Sequence, residues 1–306
     1  MRLVFAGTPL VAADTLAAVL ANPRHDVVAV LTRPDAPQGR SSRPVPSPVA
    51  QLAAEHGIEV LRPERPRDPE LAARLAELAP DCCPVVAYGG LIPQNLLDLP
   101  AHGWVNVHFS LLPRWRGAAP VQRAILAGDR TTGVSVFELV AELDAGDVLA
   151  TAEYVLGELE TAGEALSGLQ SLGAALLNET LDNLADGSAT ARPQPSGGIT
   201  LAPKLTVEAA RIDWRQSATA IQHQVLANNP SPMAWSEWDG QRFRVLLAQA
   251  VDSAELDPGE VRAEKRRVLV GTGDGDLELI TVQPAGRKPV AGADWGRGLR
   301  ELGRFA

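Results

Sequence analysis

The chain opens on a strand-helix-strand unit, and no other feature restricts its fold as strongly. Arg2 to Ala6 is a short apolar run that enters Gly7-Thr8-Pro9. Leu10 to Ala21 then has helical character and ends near Asn22-Pro23, and Asp26 to Leu31 is a second buried-type strand. That order implies parallel strands joined by a right-handed crossover. The first turn holds one glycine rather than a GxGxxG series, and no acidic residue follows the second strand at the usual place, so a dinucleotide site is only weakly indicated. With 306 residues, 45% of them hydrophobic, a large core and two domains are expected.

Further along, Pro48–His56 and Pro69–Leu78 read as helices, with a short strand at 58–60. Strands follow at Cys82–Ala87, Trp104–Val107 and Val134–Leu139, and a long helix at Thr161–Ala185. The segment Arg192-Pro193-Gln194-Pro195-Ser196-Gly197-Gly198 breaks the composition. It suggests a first domain over 1–191, a linker over 192–206 and a second domain over 207–306. Past the linker come a helix at Ser217–Ala227 and short strands near 242–247, 267–270 and 277–282, separated by Asp-Gly and Gly-Thr-Gly-Asp-Gly turns. The expected architecture is a Rossmann-like, mostly parallel α/β domain followed by a small β-barrel.

Several classes are excluded. No apolar run reaches the ~18 residues of a spanning helix, and the N-terminus lacks the apolar stretch and cleavage site of a signal peptide, so a cytoplasmic protein without membrane contact is expected. Cys82 and Cys83 are adjacent, which rules out a disulfide framework and a CxxC zinc site. The net charge of −9 is unevenly placed: residues 1–203 hold 14 arginines, no lysine and 23 acidic residues, whereas 204–306 are neutral overall. From Thr131 to Ala191 there are 11 acidic residues and no lysine or arginine, so a polyanion would be drawn elsewhere. One place is the loop over 33–48, with five prolines and the arginines 33, 40 and 43. It is longer than the usual α/β connection of about 2–6 residues, which suggests a function for it.

The chemistry concentrates between Asn106 and Pro120. Asn106 and His108 end a strand and alternate, so they share one face, and ligand sites in open α/β sheets form just beyond strand carboxyl ends. Leu143-Asp144-Ala145-Gly146-Asp147 places carboxylates in a loop after another strand. An amide donor for an oxyanion, an imidazole for protons and a carboxylate to support it suit acyl transfer to an amine. No cysteine has a histidine beside it and no GxSxG exists, so direct transfer is favoured over a covalent enzyme intermediate. Plainer readings stay open: a loop cap for Asn106, a satisfied core histidine for His108, an Asx turn at Asp144.

Asn106-Val107-His108 with Ser110-Leu111-Leu112-Pro113 and Leu143-Asp144-x-Gly-Asp147 resembles the signature of the folate-dependent formyltransferases. Arg114-Trp115-Arg116-Gly117-Ala118-Ala119-Pro120, Phe5-Ala6-Gly7-Thr8-Pro9, Ala210-Arg211-Ile212-Asp213-Trp214 and Gln283-Pro284-Ala285-Gly286-Arg287-Lys288 narrow it to the branch acting on methionyl-tRNA. The resemblance implies a formyl donor, 10-formyltetrahydrofolate, and an acceptor, the α-amine of methionine on initiator methionyl-tRNA, in support of translation initiation. It implies Asn106, His108 and Asp144 as the catalytic trio, Ser110, Leu111, Leu112 and Pro113 as a folate loop, and Val86, Ala87 and Tyr88 as the pterin pocket. It further implies Arg40 and Arg43 as tRNA contacts, a second domain of OB-like form that adds tRNA contacts, no metal and a monomer. Phe109, Glu142, Ala145, Gly90 and Ile92 depart from common family residues, which bears on substrate affinity rather than on the trio. A formyltransferase for a small amine and a non-catalytic RNA-binding protein are the rival readings; the ~100-residue second domain and the complete trio argue against them.

Overall fold

The computed structural model describes residues 1–37, 43–299 and 303–306, and these group into two compact units. The first comprises 1–117, 132–154 and 167–201; the second comprises 118–131, 155–166 and 202–306.

The first unit is built on a seven-stranded sheet. Its elements begin with β1 (Arg2–Gly7), α1 (Leu10–Leu20), β2 (Asp26–Leu31) and the short ribbon β3 (Ala36–Pro37) and β4 (Pro44–Val45). Then come α2 (Pro48–Glu55), β5 (Glu59–Leu61), α3 (Pro69–Leu78), β6 (Cys83–Val86), α4 (Gln94–Leu97) and β7 (Trp104–His108). The sheet is completed by β8 (Thr131–Glu138) and β9 (Val148–Val155), in the order β5-β2-β1-β6-β7-β8-β9. The pairings β2–β5, β1–β2, β1–β6 and β6–β7 are parallel, and β7–β8 is antiparallel. Leu3, Val4, Phe5 and Ala6 are all wholly buried, as continuous apolar strands must be when both faces of a parallel sheet are covered. The mostly parallel domain expected from the opening unit is therefore present, with one antiparallel edge.

Helix α6 (Ala162–Ala185) buries Leu169, Leu177 and Leu181. Gly173 lies so close to Val107 and Phe109 that a Cβ there would stand 3.0 Å from the Val107 methyl, which presses this helix onto β7, the strand that holds Asn106 and His108. At the other end of the sheet order, the hydroxyls of Thr32 and Ser47 meet at 2.7 Å. Ser47 also caps α2 by accepting the Ala50 N–H. This pair closes the base of the Pro/Arg-rich loop, and the β3–β4 ribbon forms its stem.

The second unit contains α5 (Pro120–Leu126), α7 (Ala218–Asn228) and α8 (Gly292–Arg297). Its strands are β10 (Ala234–Trp238), β11 (Gln241–Val251), β12 (Val261–Ala263), β13 (Val268–Gly271), β14 (Asp276–Gln283) and β15 (Val290–Ala291). They form one antiparallel sheet in the order β10-β11-β14-β13-β12, with β15 added to β14. The small β-rich domain expected from sequence is this sheet. Its core is aromatic: Phe243 lies 4.6 Å from Trp295 and 5.1 Å from Phe305 between ring centroids, and Trp214 stacks on Phe305 at 5.1 Å. The Trp214 indole N–H donates to Ser236 Oγ at 3.0 Å, so its polar edge is satisfied. Among the described residues no helix is long and apolar enough to cross a membrane.

Candidate active site

Strand β7 is buried on both faces by Trp104, Val105 and Val107, and it brings Asn106 and His108 to its carboxyl end. Asn106 is half-buried, and its amide has no hydrogen-bond partner among the described residues. A primary amide at a strand end with its donors unspent is a ready hydrogen-bond source for an incoming oxyanion. His108 is buried, its ring standing at 89° to that of Phe137 with centroids 6.2 Å apart.

The two imidazole nitrogens have different partners, and this decides the tautomer. Nε2 lies 2.8 Å from the Trp115 carbonyl oxygen. A carbonyl only accepts, so Nε2 carries the proton whether the ring is neutral or charged. In the neutral ring Nδ1 is then the bare, basic nitrogen. It faces the Asp144 carboxylate at 3.8 Å, too far for a direct hydrogen bond and close enough to stabilise an imidazolium. Burial pulls the His108 pKa below its ordinary value, while Asp144 and the Trp115 carbonyl push back. The net direction is downward, so the ring is neutral at pH 7 and free to take a proton.

Asp144 is itself fixed. Its Oδ2 accepts the Gly117 N–H at 2.7 Å, and its backbone sits at φ +47°, a left-handed conformation that aspartate accepts more readily than most non-glycine residues. Two residues on, a Cβ at Gly146 would stand 1.8 Å from the Glu138 carbonyl oxygen. Only glycine lets this loop close so tightly over the end of β8.

The loop after β7 is tied down by its own polar groups. Ser110, wholly buried, donates to the Arg114 carbonyl at 2.6 Å. Ser135 Oγ donates to the Ser110 carbonyl at 2.7 Å and accepts the Leu112 N–H at 3.1 Å. Leu112 is buried, and Leu111 leans on Gly133. Ser110 and Leu112 thus shape the loop, while Leu111 and Pro113 are only half-buried. At the end of β6, Val86 and Tyr88 are buried and Ala87 is exposed at φ +46°. The Tyr88 carbonyl accepts the Thr8 hydroxyl at 2.9 Å, which joins the ends of β6 and β1. The Tyr88 hydroxyl is buried with no partner among the described residues, and burial pushes its pKa up. Arg43 is exposed beside the β3–β4 ribbon; Arg40 lies outside the described residues.

The structure brings His108 and Asp144 face to face, and Asn106 lies two positions before His108 on the same strand. Sequence reasoning did not find the backbone groups that complete the site, the Trp115 carbonyl and the Gly117 N–H. Nor did it find Thr200, whose hydroxyl accepts the Trp115 N–H at 2.8 Å and whose carbonyl accepts the Arg116 N–H at 2.9 Å. Gly117 was the available signal for the first two, as a glycine at φ +125° directly after the Arg-Trp-Arg run.

Residues 1–181 match the family model described as formyl transferase, and residues 204–300 match that of the formyl transferase C-terminal domain. A methionyl-tRNA formyltransferase of Streptomyces griseus is 53% identical over 98% of this chain and 97% of its own. A protein of the same name from a Mycobacterium species is 52% identical over the same shares. Among solved structures, an N-formyltransferase of Helicobacter canadensis with folinic acid and dTDP-3-aminofucose shares the fold at a TM-score of 0.69 and 14% identity, over 93% of this chain and 99% of its own. HypX of Aquifex aeolicus with tetrahydrofolic acid does so at 0.62 and 22%, over 96% of this chain and 46% of its own. With two domain models matched in order and relatives half identical end to end, the chain belongs to the formyl transferase family, among the methionyl-tRNA formyltransferases.

Proposed function

We propose that this protein transfers the formyl group of 10-formyltetrahydrofolate to the α-amine of methionine on initiator methionyl-tRNA, the reaction that prepares this tRNA for translation initiation. The observation that carries the chemistry is the pairing of His108 Nε2 with the Trp115 carbonyl, which leaves Nδ1 as the base beside Asp144. Methionyl-tRNA as acceptor is supported by the name of relatives half identical over the whole chain, and a folate donor by neighbours of the same fold solved with tetrahydrofolic acid and folinic acid.

The neutral amine nitrogen attacks the formyl carbon, forming the C–N bond and moving the carbonyl electron pair onto oxygen. The Asn106 amide donates to that oxyanion. The proton leaving the amine goes to His108 Nδ1, and the resulting imidazolium is held by Asp144 on one side and the Trp115 carbonyl on the other. Collapse of the tetrahedral intermediate breaks the bond to N10 of the folate, which takes the proton back from His108. The products are formylmethionyl-tRNA and tetrahydrofolate. No enzyme nucleophile is needed; Cys82 and Cys83 are buried, with the thiol of Cys82 pushed up to about 12.

The segment 110–113 and the β6 end at 86–88 are read as the walls of the folate site, and Arg40 and Arg43 as contacts for the tRNA acceptor end. Formyl transfer from 10-formyltetrahydrofolate, followed with charged initiator tRNA and in parallel with a nucleotide-linked amino sugar, tests the assignment. Product on methionyl-tRNA alone is expected. Product on the sugar alone would overturn the acceptor, and product on neither would overturn the activity.

A further inference from the structure

Gln194 lies in the Pro/Gly-rich segment that reads from sequence as a linker, yet its carboxamide uses every hydrogen-bonding position it has. Oε1 accepts from the Arg116 guanidinium twice, at 3.1 Å from Nε and 2.8 Å from Nη2. Nε2 donates to the Asp144 carbonyl and to the Gly146 carbonyl, both at 2.8 Å. The orientation is unambiguous. Flipping the amide would set NH2 against guanidinium donors and oxygen against two carbonyls, turning four good contacts into four bad ones. Arg116 is buried, and apart from Gln194 its guanidinium is paired with Glu142 at 3.2 Å, an otherwise exposed carboxylate.

The two loops that Gln194 joins are the two that grip His108. Arg116 sits between Trp115, whose carbonyl takes the Nε2 proton, and Gly117, whose N–H holds the Asp144 carboxylate. Asp144 is held from both ends, its carboxylate by Gly117 and its carbonyl by Gln194. We infer that Gln194 is a positioning residue for the His108–Asp144 pair, one side chain that sets the spacing between imidazole and carboxylate by tying the 115–117 loop to the 144–146 loop. This rests on the reading that His108 and Asp144 carry the proton transfer.

Displacements of about an ångström in a catalytic constellation are expected to lower turnover substantially without weakening substrate binding. Gln194→Met removes all four hydrogen bonds at nearly constant volume, and Gln194→Asn keeps the amide but is too short to reach both loops. With both substrates saturating, Gln194→Met is expected to lower kcat by about 10–100-fold and to change either KM by no more than about twofold. Gln194→Asn should move in the same direction by less. The reading that needs no turnover is the titration of His108 by NMR, in a chain with only five histidines. Among the described residues Asp144 is the one charged side chain set against His108, which also meets the Trp115 carbonyl and the Phe137 ring. Loosening Asp144 removes the charge that supports the imidazolium, so His108 should titrate at lower pH in both variants. Thermal unfolding shows which variants are folded, and Gln194→Asn keeps the test open if Gln194→Met is not. A fall in unfolding temperature alone, with kcat and the His108 midpoint unchanged in a folded variant, would overturn the positioning role. A shifted His108 midpoint in a protein that forms no formylmethionyl-tRNA would leave that role standing and remove the functional reading instead.

Discussion

The carboxyl end of the first unit's sheet and the aromatic core of the second unit are stabilised in different ways. In the core, Trp214, Phe243, Trp295 and Phe305 pack ring against ring at 4.6–6.0 Å, and the Trp214 N–H has its acceptor. Around the strand ends the chain carries Ala87, Trp115 and Asp144 at positive φ, and an Asn106 amide and a buried Tyr88 hydroxyl that have no partner among the described residues. One region is closed on itself. The other keeps strained backbone and unspent polar groups, and those groups can be satisfied by a bound substrate. Substitutions in the first region should therefore register as stability and those in the second as rate.

The largest effect is expected in the core. Phe243→Ala removes a buried ring and should lower the unfolding free energy by about 3–5 kcal/mol, measured by denaturant titration. The pH dependence of kcat should be unchanged, because no group near His108 is touched. A variant that unfolds normally but turns over slowly would undo the division between the regions.

Next comes Asn106→Ala. Loss of the proposed oxyanion donor should lower kcat by about 10²–10³-fold, or roughly 3–4 kcal/mol of transition-state stabilisation, with the thermal midpoint almost unmoved because the amide has no partner to abandon among the described residues. If instead the protein is destabilised and turnover survives, Asn106 is a structural cap.

These expectations also show what the sequence made legible. The apolar runs of β1, β2, β6 and β7 and the long pattern of α6 were readable because burial on both faces leaves continuous hydrophobic stretches. Strand β9, Val-Leu-Ala-Thr-Ala-Glu-Tyr-Val, was not, since it is an edge strand with only intermittent burial. Helix α5 was missed because seven residues that start at Pro120, after Gly-Ala-Ala, carry too little periodicity. In the site, Asn106 and His108 were readable from alternation along one strand, and Asp144 from its turn. The Trp115 carbonyl and the Gly117 N–H were not, because a backbone group leaves no mark in residue identity. Gln194 was hidden for another reason: its partners lie 48 to 78 positions away, and its proline neighbours suggest a linker.

The smallest effects separate strain that serves the site from strain that does not. Ala79 caps α3 at φ +44° and Ala87 ends β6 at φ +46°, and both are exposed. Glycine at either position should raise stability by about 0.5–1 kcal/mol, the relief of a left-handed alanine less the added unfolded-state entropy. Ala79→Gly should leave all kinetic constants alone, whereas Ala87→Gly should raise KM for the formyl donor. Equal silence in both would mean that the β6 end is strained for packing alone.

The central claim is that neutral His108 accepts the amine proton at Nδ1 with Asp144 supporting the charge. The pH profile of kcat, wild type against Asp144→Asn, tests it most directly. Asparagine keeps an oxygen for the Gly117 N–H and tolerates positive φ, so the fold is retained while the charge is lost. A group held below its ordinary pKa is neutral above that value and is protonated only as the pH falls. The wild-type rate should therefore be level near pH 7 and decline only at lower pH, on the acid side of the ordinary imidazole range. In Asp144→Asn the plateau should fall by about 10²-fold or more, and the acid decline should move to still lower pH, because the carboxylate no longer raises the imidazole's affinity for its proton. An undiminished plateau with the decline at its wild-type position would contradict the account.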